Sequence, residues 1–239
     1  MTDFLMGKNT VLEIFKHKKD IIIEIYTAKA KTDPMILDLM KKIPMKFVSK
    51  KTLDNMAGST SHQNILAKIK SRNYLNPKDF IKKNEDKTKS LVLMLDSIFD
   101  PQNLGAIIRT AECFSVDGII FSKNRGADIT PVVSKASMGG SELVNLIKVS
   151  NLANALNTFY DAGYSIVATT LEKDSKDLYE FKFPDKTLLI MGSEGVGVQK
   201  LLLKKAEYKI FIPMQGKLQS LNVSAASAIV ISYIRAQAS

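Results

Sequence analysis

Residues 91–114 read LVLMLDSIFDPQNLGAIIRTAECF, and the order of residue types in this stretch decides the fold. The unbroken apolar run from Leu91 to Leu95 has the pattern of a strand buried on both faces. Turn and cap formers follow at Asp96, Asp100, Pro101, Asn103 and Gly105. Then Ile107, Ile108, Ala111 and Phe114 recur at helical spacing, while Arg109 and Thr110 fall off that stripe. The same alternation continues downstream, with apolar strands at Gly118 to Phe121, Ser165 to Thr169, Thr187 to Met191 and Lys209 to Ile212. Strands alternating with helices predict an α/β protein with a parallel sheet covered on both faces. In such sheets ligands bind beyond the carboxyl ends of the strands, so the loops after these strands are the candidate sites.

Upstream of this stretch the text changes. Residues 8–17 (KNTVLEIFKH) predict a helix with Asn9 as a candidate N-cap and Val11, Leu12, Ile14 and Phe15 as its apolar stripe. A strand is predicted at Ile21 to Tyr26, a helix within Asp33 to Lys42 and a strand near Phe47 to Ser49. The polar run KSRNYLNPKDFIKKNEDKTKS at 70–90 predicts a linker. The expected organisation is therefore a small α/β module over 1–75, a linker over 76–90 and a larger α/β domain over 91–239.

Charge follows this division. Residues 1–90 hold 19 Lys and Arg against 10 Asp and Glu, a net of +9, whereas residues 91–239 hold 15 against 14, a net of +1, which accounts for the overall +10. A lysine-rich surface of this kind attracts polyanions by releasing their counterions, and RNA is the expected partner. The apolar runs are far shorter than the roughly 20 residues that span a bilayer, so no membrane association is expected. The N-terminus lacks the basic start and apolar core of a secretion signal, so a cytoplasmic location is expected. One cysteine, Cys113, and two histidines, His17 and His62, are too few for a structural metal site, and no metal is expected.

Two further segments end a strand and begin a loop. LLIMGSEGVGV at 188–198 runs into Gly192, Gly195 and Gly197 around Glu194. It lacks the dinucleotide fingerprint, and its glycines fit either close approach to a flat ligand or a tight turn. IFIPMQGKLQSLNVSAASAIVISYIRAQ at 210–237 leads into a final helix rich in small residues, with Ser220 and Asn222 at its mouth as ligand contacts or simple N-caps. Arg109, taken alone, is equally a solvated arginine on a helix face.

In order and spacing, DPQNLGAIIRTA at 100–111, MGSEGVG at 191–197, and IPM at 212–214 followed by SLNVSAA at 220–226 resemble the signature motifs of the SpoU (TrmH-type) family of RNA 2′-O-ribose methyltransferases. The resemblance covers about 150 residues strongly. Residues 1–75 more loosely resemble the L30e-like RNA-binding domain of the ribosomal RNA members, through GKNTVLE at 7–13 and SHQNILA at 61–67, with Asn64 where a glycine is usual.

The resemblance implies a SPOUT fold whose C-terminal segment closes a deep trefoil knot, a homodimer, and S-adenosylmethionine as cofactor. The cofactor would lie against the backbone of Gly192, Ile212 and Leu221, with Thr169, Met191 and Met214 nearby. The implied catalytic residues are Asn103, Arg109, Glu194, Ser220 and Asn222. The expected activity is methylation of a large-subunit ribosomal RNA guanosine. Transfer RNA is the alternative substrate, and a non-catalytic RNA-binding assembly factor is the alternative class. A nucleotide-dependent small-molecule enzyme is disfavoured by the missing phosphate motif.

Overall fold

The structure, a computed structural model, describes residues 3–193, 195–218 and 220–238. By contacts the chain divides into two units: one comprises the residues up to Asn73 together with Ile129–Leu143, the other Tyr74–Asp128 together with Val144 onward.

The first unit is a four-stranded sheet with helices. In chain order it comprises β1 (Asp3–Met6), α1 (Lys8–His17), β2 (Ile22–Thr27), α2 (Pro34–Met40), β3 (Met45–Phe47), α3 (Lys50–Ala57) and β4 (Ile65–Ile69). The strands lie in the order β1-β4-β2-β3; β4 is antiparallel to both β1 and β2, and β2 is parallel to β3. Val11 and Ile14 of the predicted α1 stripe are fully buried, with Leu12 and Phe15 packed beside them. The helix starts earlier than expected: Gly7 occupies the N-cap, Asn9 lies inside, and no side chain caps it. The loop before β4 turns through left-handed backbone at Gln63 and Asn64, with φ of 53° and 61°. That conformation is why a glycine suits position 64, and asparagine tolerates it better than most residues.

The second unit begins with α4 (Pro77–Lys83), where the composition points to a linker. Asn76 caps this helix by accepting from the Asp79 amide, and Phe80 is fully buried against Phe159 at 5.7 Å between ring centres. One large apolar residue at the right place outweighs a polar neighbourhood, and a composition window averages that residue away. The unit continues with β5 (Ser90–Leu95), α5 (Pro101–Cys113) and β6 (Gly118–Ser122); α6 (Pro131–Ala136) belongs to the first unit. Then follow β7 (Leu146–Val149), α7 (Leu152–Asp161), β8 (Ser165–Thr169), β9 (Lys176–Asp177), β10 (Lys186–Met191), α8 (Lys200–Leu203), β11 (Tyr208–Phe211) and α9 (Val223–Ala238).

All seven strands are parallel, in the order β7-β6-β5-β10-β8-β11-β9. Every residue of β5 and β6 is buried, which is why these strands read as continuous apolar runs rather than alternating ones. Val92 and Met94 enter a core with Phe80, Leu156, Phe159, Ile166, Leu188 and Ile190. Leu91, Leu93 and Leu95 alternate to the other face, and α5 and α9 pack against each other. The Asp100 side chain caps α5 by accepting from the Gln102 amide at 2.9 Å, and Pro101 occupies the first turn. Near its end α9 is tied down by Arg235, which donates to the Phe114 carbonyl at 2.8 Å, and by Tyr233, which donates to the Tyr179 carbonyl at 2.6 Å. No helix among the described residues is long and apolar enough to cross a membrane.

The division departs from the expected 1–75, 76–90 and 91–239 because residues 129–143 leave the larger unit and complete the smaller one. Arg72 fastens them. Its backbone N–H and Nη1 donate to the two oxygens of Asp3 at 2.9 and 3.0 Å, and Nε donates to Glu142 at 2.9 Å. Nη1 also reaches the Ile129 carbonyl at 3.2 Å, and Nη2 the Ser134 hydroxyl at 3.0 Å. The side chains of Arg72 and Glu142 are 5% and 4% exposed, so this pair is desolvated. Removing one member of a buried pair leaves the other charge uncompensated. Arg72→Ala is therefore expected to lower stability by about 3–5 kcal/mol in urea unfolding. A loss below about 1 kcal/mol, the scale of a surface ion pair, contradicts this account of the first unit.

Candidate functional site

The carboxyl ends of β8, β10 and β11 open into a cavity of 560 Å³, a size that suits a nucleoside-like ligand. Thr169, Met191, Gly192, Ile212, Met214 and Leu221 all line it, as do Ser220 and Ala226. The parallel sheet brings together residues as far apart in sequence as 169 and 226 because each follows a strand at the same edge. The Thr169 hydroxyl donates to the Ile190 carbonyl at 3.1 Å, which holds the end of β8 against β10.

The glycine loop is a tight turn and a cavity wall at once. Ser193 and Gly197 exchange backbone hydrogen bonds of 3.2 and 3.0 Å, with Gly195 and Gly197 at φ of 82° and 72°. Gly192 packs against the closing end of this turn so closely that a Cβ would stand 2.1 Å from the Gly197 carbonyl carbon. Any side chain there must push the two strands of the loop apart. Glu194 lies outside the described residues.

The third segment also serves both of its expected roles. The Asn222 side-chain oxygen accepts from the Ser224 amide at 2.9 Å, capping α9, while its Nδ2 donates to Asn103 Oδ1 at 2.9 Å. Asn103 and Asn222, 119 residues apart, are thus locked to each other at the starts of α5 and α9. The Ser227 hydroxyl returns to the Val223 carbonyl at 2.7 Å, so this buried hydroxyl is satisfied within α9 as the helix packs. Arg109 projects from α5 as an exposed residue, and no hydrogen bond or ion pair to it is found among the described residues. Its guanidinium is the solvated arginine of the bland alternative and, equally, a cation open to a phosphate.

Cavity residues beyond the sequence motifs include Thr170, Leu171, Glu172 and Phe211. Their only signal in sequence is adjacency to a strand end. At the rim Lys209 donates to Glu172 at 2.6 Å and to Asp174 at 2.9 Å. Those two bonds, the one to Glu172 foremost, raise the Lys209 pKa, and the bond from Lys209 lowers that of Asp174. No group of three or more His, Cys, Asp and Glu able to hold a metal occurs among the described residues. A second cavity of 390 Å³ lies at the amino ends of β5 and β10, walled by Tyr179, Phe181, Phe183 and Tyr233.

The SpoU rRNA methylase family pattern matches residues 90–232, and the RNA 2′-O ribose methyltransferase substrate-binding pattern matches residues 4–75. The chain belongs to the SpoU rRNA methylase family. It is 34% identical over 234 residues to the 23S rRNA (guanosine-2′-O-)-methyltransferase RlmB of Vibrio vulnificus, covering 96% of this chain and 94% of that protein. It is 31% identical over 236 residues to RlmB of Haemophilus influenzae, covering 97% and 96%. Its fold is that of the AdoMet-bound rRNA methyltransferase of Sinorhizobium meliloti, with a TM-score of 0.79 at 22% identity over 98% of this chain and 87% of that one. The AdoMet complex of the SpoU methyltransferase AviRb from Streptomyces viridochromogenes is similar, with a TM-score of 0.80 at 19% identity over 98% and 90%. The substrate-binding pattern falls almost wholly within the smaller unit, and the methylase pattern covers most of the larger unit together with residues 129–143.

The Gly192 contact yields a direct test. Gly192→Ala should lower stability by about 1–3 kcal/mol, the scale of overpacking, and speed hydrogen exchange at the Ser193 and Gly197 amides. Gly216→Ala, where a Cβ meets nothing within 4 Å, should change neither. Equal behaviour of the two variants would show that the loop closes without the glycine.

Proposed function

We infer that this protein methylates a ribose 2′-hydroxyl of RNA with S-adenosylmethionine as donor, and that its substrate is a guanosine of large-subunit ribosomal RNA. The observation that carries this reading is the match to RlmB proteins along almost the whole of both chains, including the substrate-binding part. A transfer-RNA substrate is less well supported: the A. aeolicus TrmH/SpoU tRNA modifying enzyme is 31% identical but aligns with only 67% of this chain. A non-catalytic assembly factor would have no need for the full set Asn103, Arg109, Glu194, Ser220 and Asn222, all of which this chain carries.

The residues fit the cofactor. Gly192, packed against the Gly197 backbone, keeps the glycine loop folded as one wall of the cavity, and Ile212, Leu221, Thr169, Met191 and Met214 supply an apolar and backbone-rich wall of the kind that holds an adenosine. S-adenosylmethionine supplies a methyl group already activated by its sulfonium, so no metal is needed and the protein's task is alignment.

In this reading Arg109 binds the phosphate beside the target ribose and stabilises the developing alkoxide. It does not act as the base, because a guanidinium keeps its proton below about pH 12. Asn103, held by Asn222, presents its amide toward the ribose, Ser220 shapes the hydroxyl pocket, and Glu194 orients Arg109 and the ribose. The segment from Ile212 into α9 closes a trefoil knot around the cofactor, two copies pair as a homodimer, and the enzyme works in the cytoplasm on RNA docked by residues 1–75, within the part of the chain (1–90) whose net charge is +9.

Arg109→Ala should reduce methyl transfer to ribosomal RNA at least about 100-fold, the scale seen on removing one transition-state donor. Its S-adenosylmethionine affinity by calorimetry should stay within about twofold of wild type. Near-normal turnover would return Arg109 to the helix surface and remove it from the mechanism.

A further inference from the structure

Asp96, the residue immediately after β5, is fully buried, and no cation is paired directly with it among the described residues. Its backbone N–H donates to the Met191 carbonyl at 2.9 Å, just before the glycine loop begins. Its carboxylate receives the Gln199 backbone N–H at 2.7 Å, just after the loop ends. It also accepts from the Gln199 side-chain Nε2 and from the Ser97 hydroxyl, the latter at 3.0 Å. One residue therefore holds both ends of the 192–198 segment, of which Gly192, Ser193, Gly195, Val196 and Gly197 line the cofactor cavity. The same residue begins the turn that leads to Asn103.

The far side of the Gln199 amide gives the clamp its polarity. Arg125, an exposed residue after β6, donates from Nη1 to Gln199 Oε1. The amide thus stands between a guanidinium and a buried carboxylate, with its oxygen toward the cation and its nitrogen toward the anion. Arg125 fixes which way the amide faces, and the aligned dipole relays positive charge to Asp96 without placing a second ion in the core. A bare carboxylate buried without such donors would be costly.

We propose that Asp96 and Gln199 are positioning residues for methyl transfer: together with Arg125 they hold the glycine loop closed on the cofactor side and in register with the turn that carries Asn103. This rests on the methyltransferase reading above. The hydrogen-bond directions dictate the outcome of substitution. In Asp96→Asn the new amide donor faces the Gln199 donor, and turning Gln199 over would set its NH2 against Arg125. In Gln199→Glu two carboxylates meet in the core. Combining the two substitutions restores the pattern: the new amide at position 96 donates to the new carboxylate at position 199, and its oxygen still accepts the backbone N–H of that position. The carboxylate in turn receives Arg125, so the bonds from position 96 to position 199 and from Arg125 to position 199 are all restored, and the Ser97 hydroxyl turns from donor to acceptor toward the new NH2.

The test uses the full-length protein and three readouts: hydrogen exchange at the Ser193 and Gly197 amides without ligand, S-adenosylmethionine affinity by calorimetry, and kcat for RNA methylation. Each single variant should bind the cofactor roughly tenfold or more weakly, the scale of a lost hydrogen bond to a charged group, and should exchange faster at both amides and turn over more slowly. The double variant should return all three quantities to within about threefold of wild type. Arg125→Met, a change on the surface that leaves the core intact, should lower affinity by a smaller factor and should partly rescue Asp96→Asn by freeing Gln199 to turn over. Single variants that melt earlier but bind S-adenosylmethionine as wild type does, or a double variant no better than the worse single, would overturn the proposal. If wild type itself neither binds S-adenosylmethionine nor methylates RNA, the functional reading fails. The exchange measurements still decide whether the clamp exists.

Discussion

The larger unit depends on the pairing of β5 with β10, in parallel register from Ser90 opposite Lys186 to Leu95 opposite Met191. These two strands are far apart in the chain and adjacent in the sheet, so they end side by side. Asp96 is thereby brought to the Met191 carbonyl, the glycine loop is set beside the turn before α5, and Asn103 comes within reach of Asn222. Shifting the register by one residue would exchange the two faces of β5, setting Leu91, Leu93 and Leu95 where Val92 and Met94 now pack with Leu188 and Ile190, a change of shape that a close-packed core resists. Burial thus enforces the register, and the register assembles the site.

Much of this is legible in the residues. The strands of the sheet core are apolar on both faces and announce themselves as runs, and the loops after them carry the motif residues that converge on one cavity. Two strands give no such signal, for physical reasons. In β7 a lysine, Lys148, interrupts the apolar run, and β9 spans two polar residues at the sheet edge. The smaller unit is legible in part: α1, β2 and α2 have clear periodicity or β-branched runs. β1 is only four residues long, and β4, with the sequence ILAKI, carries a lysine and no boundary signal.

The helix around residue 80, where composition points to a linker, and the excursion of residues 129–143 share a cause. Both are decided by a few long-range contacts, Phe80 with Phe159 in one and Arg72 with Glu142 in the other, that no local window contains. The same holds for Asp96: in sequence it is one more turn former after a strand, and only the fold brings Gln199 to it. Positional chemistry of this kind is invisible to composition and periodicity. The excursion also means that residues 1–75 are not a detachable module, because removing them strips the buried Ser134 and Glu142 of Arg72.

If the converging motifs form a ribose methyltransferase site for large-subunit ribosomal RNA, the modification itself must depend on this protein. Mapping 2′-O-methylation across the total RNA of cells with and without the protein tests that dependence most directly. One guanosine of the large-subunit RNA should lose its ribose methyl group when the protein is absent and regain it when the protein is restored. An unchanged map, or a lost mark confined to transfer RNA, would contradict the assignment.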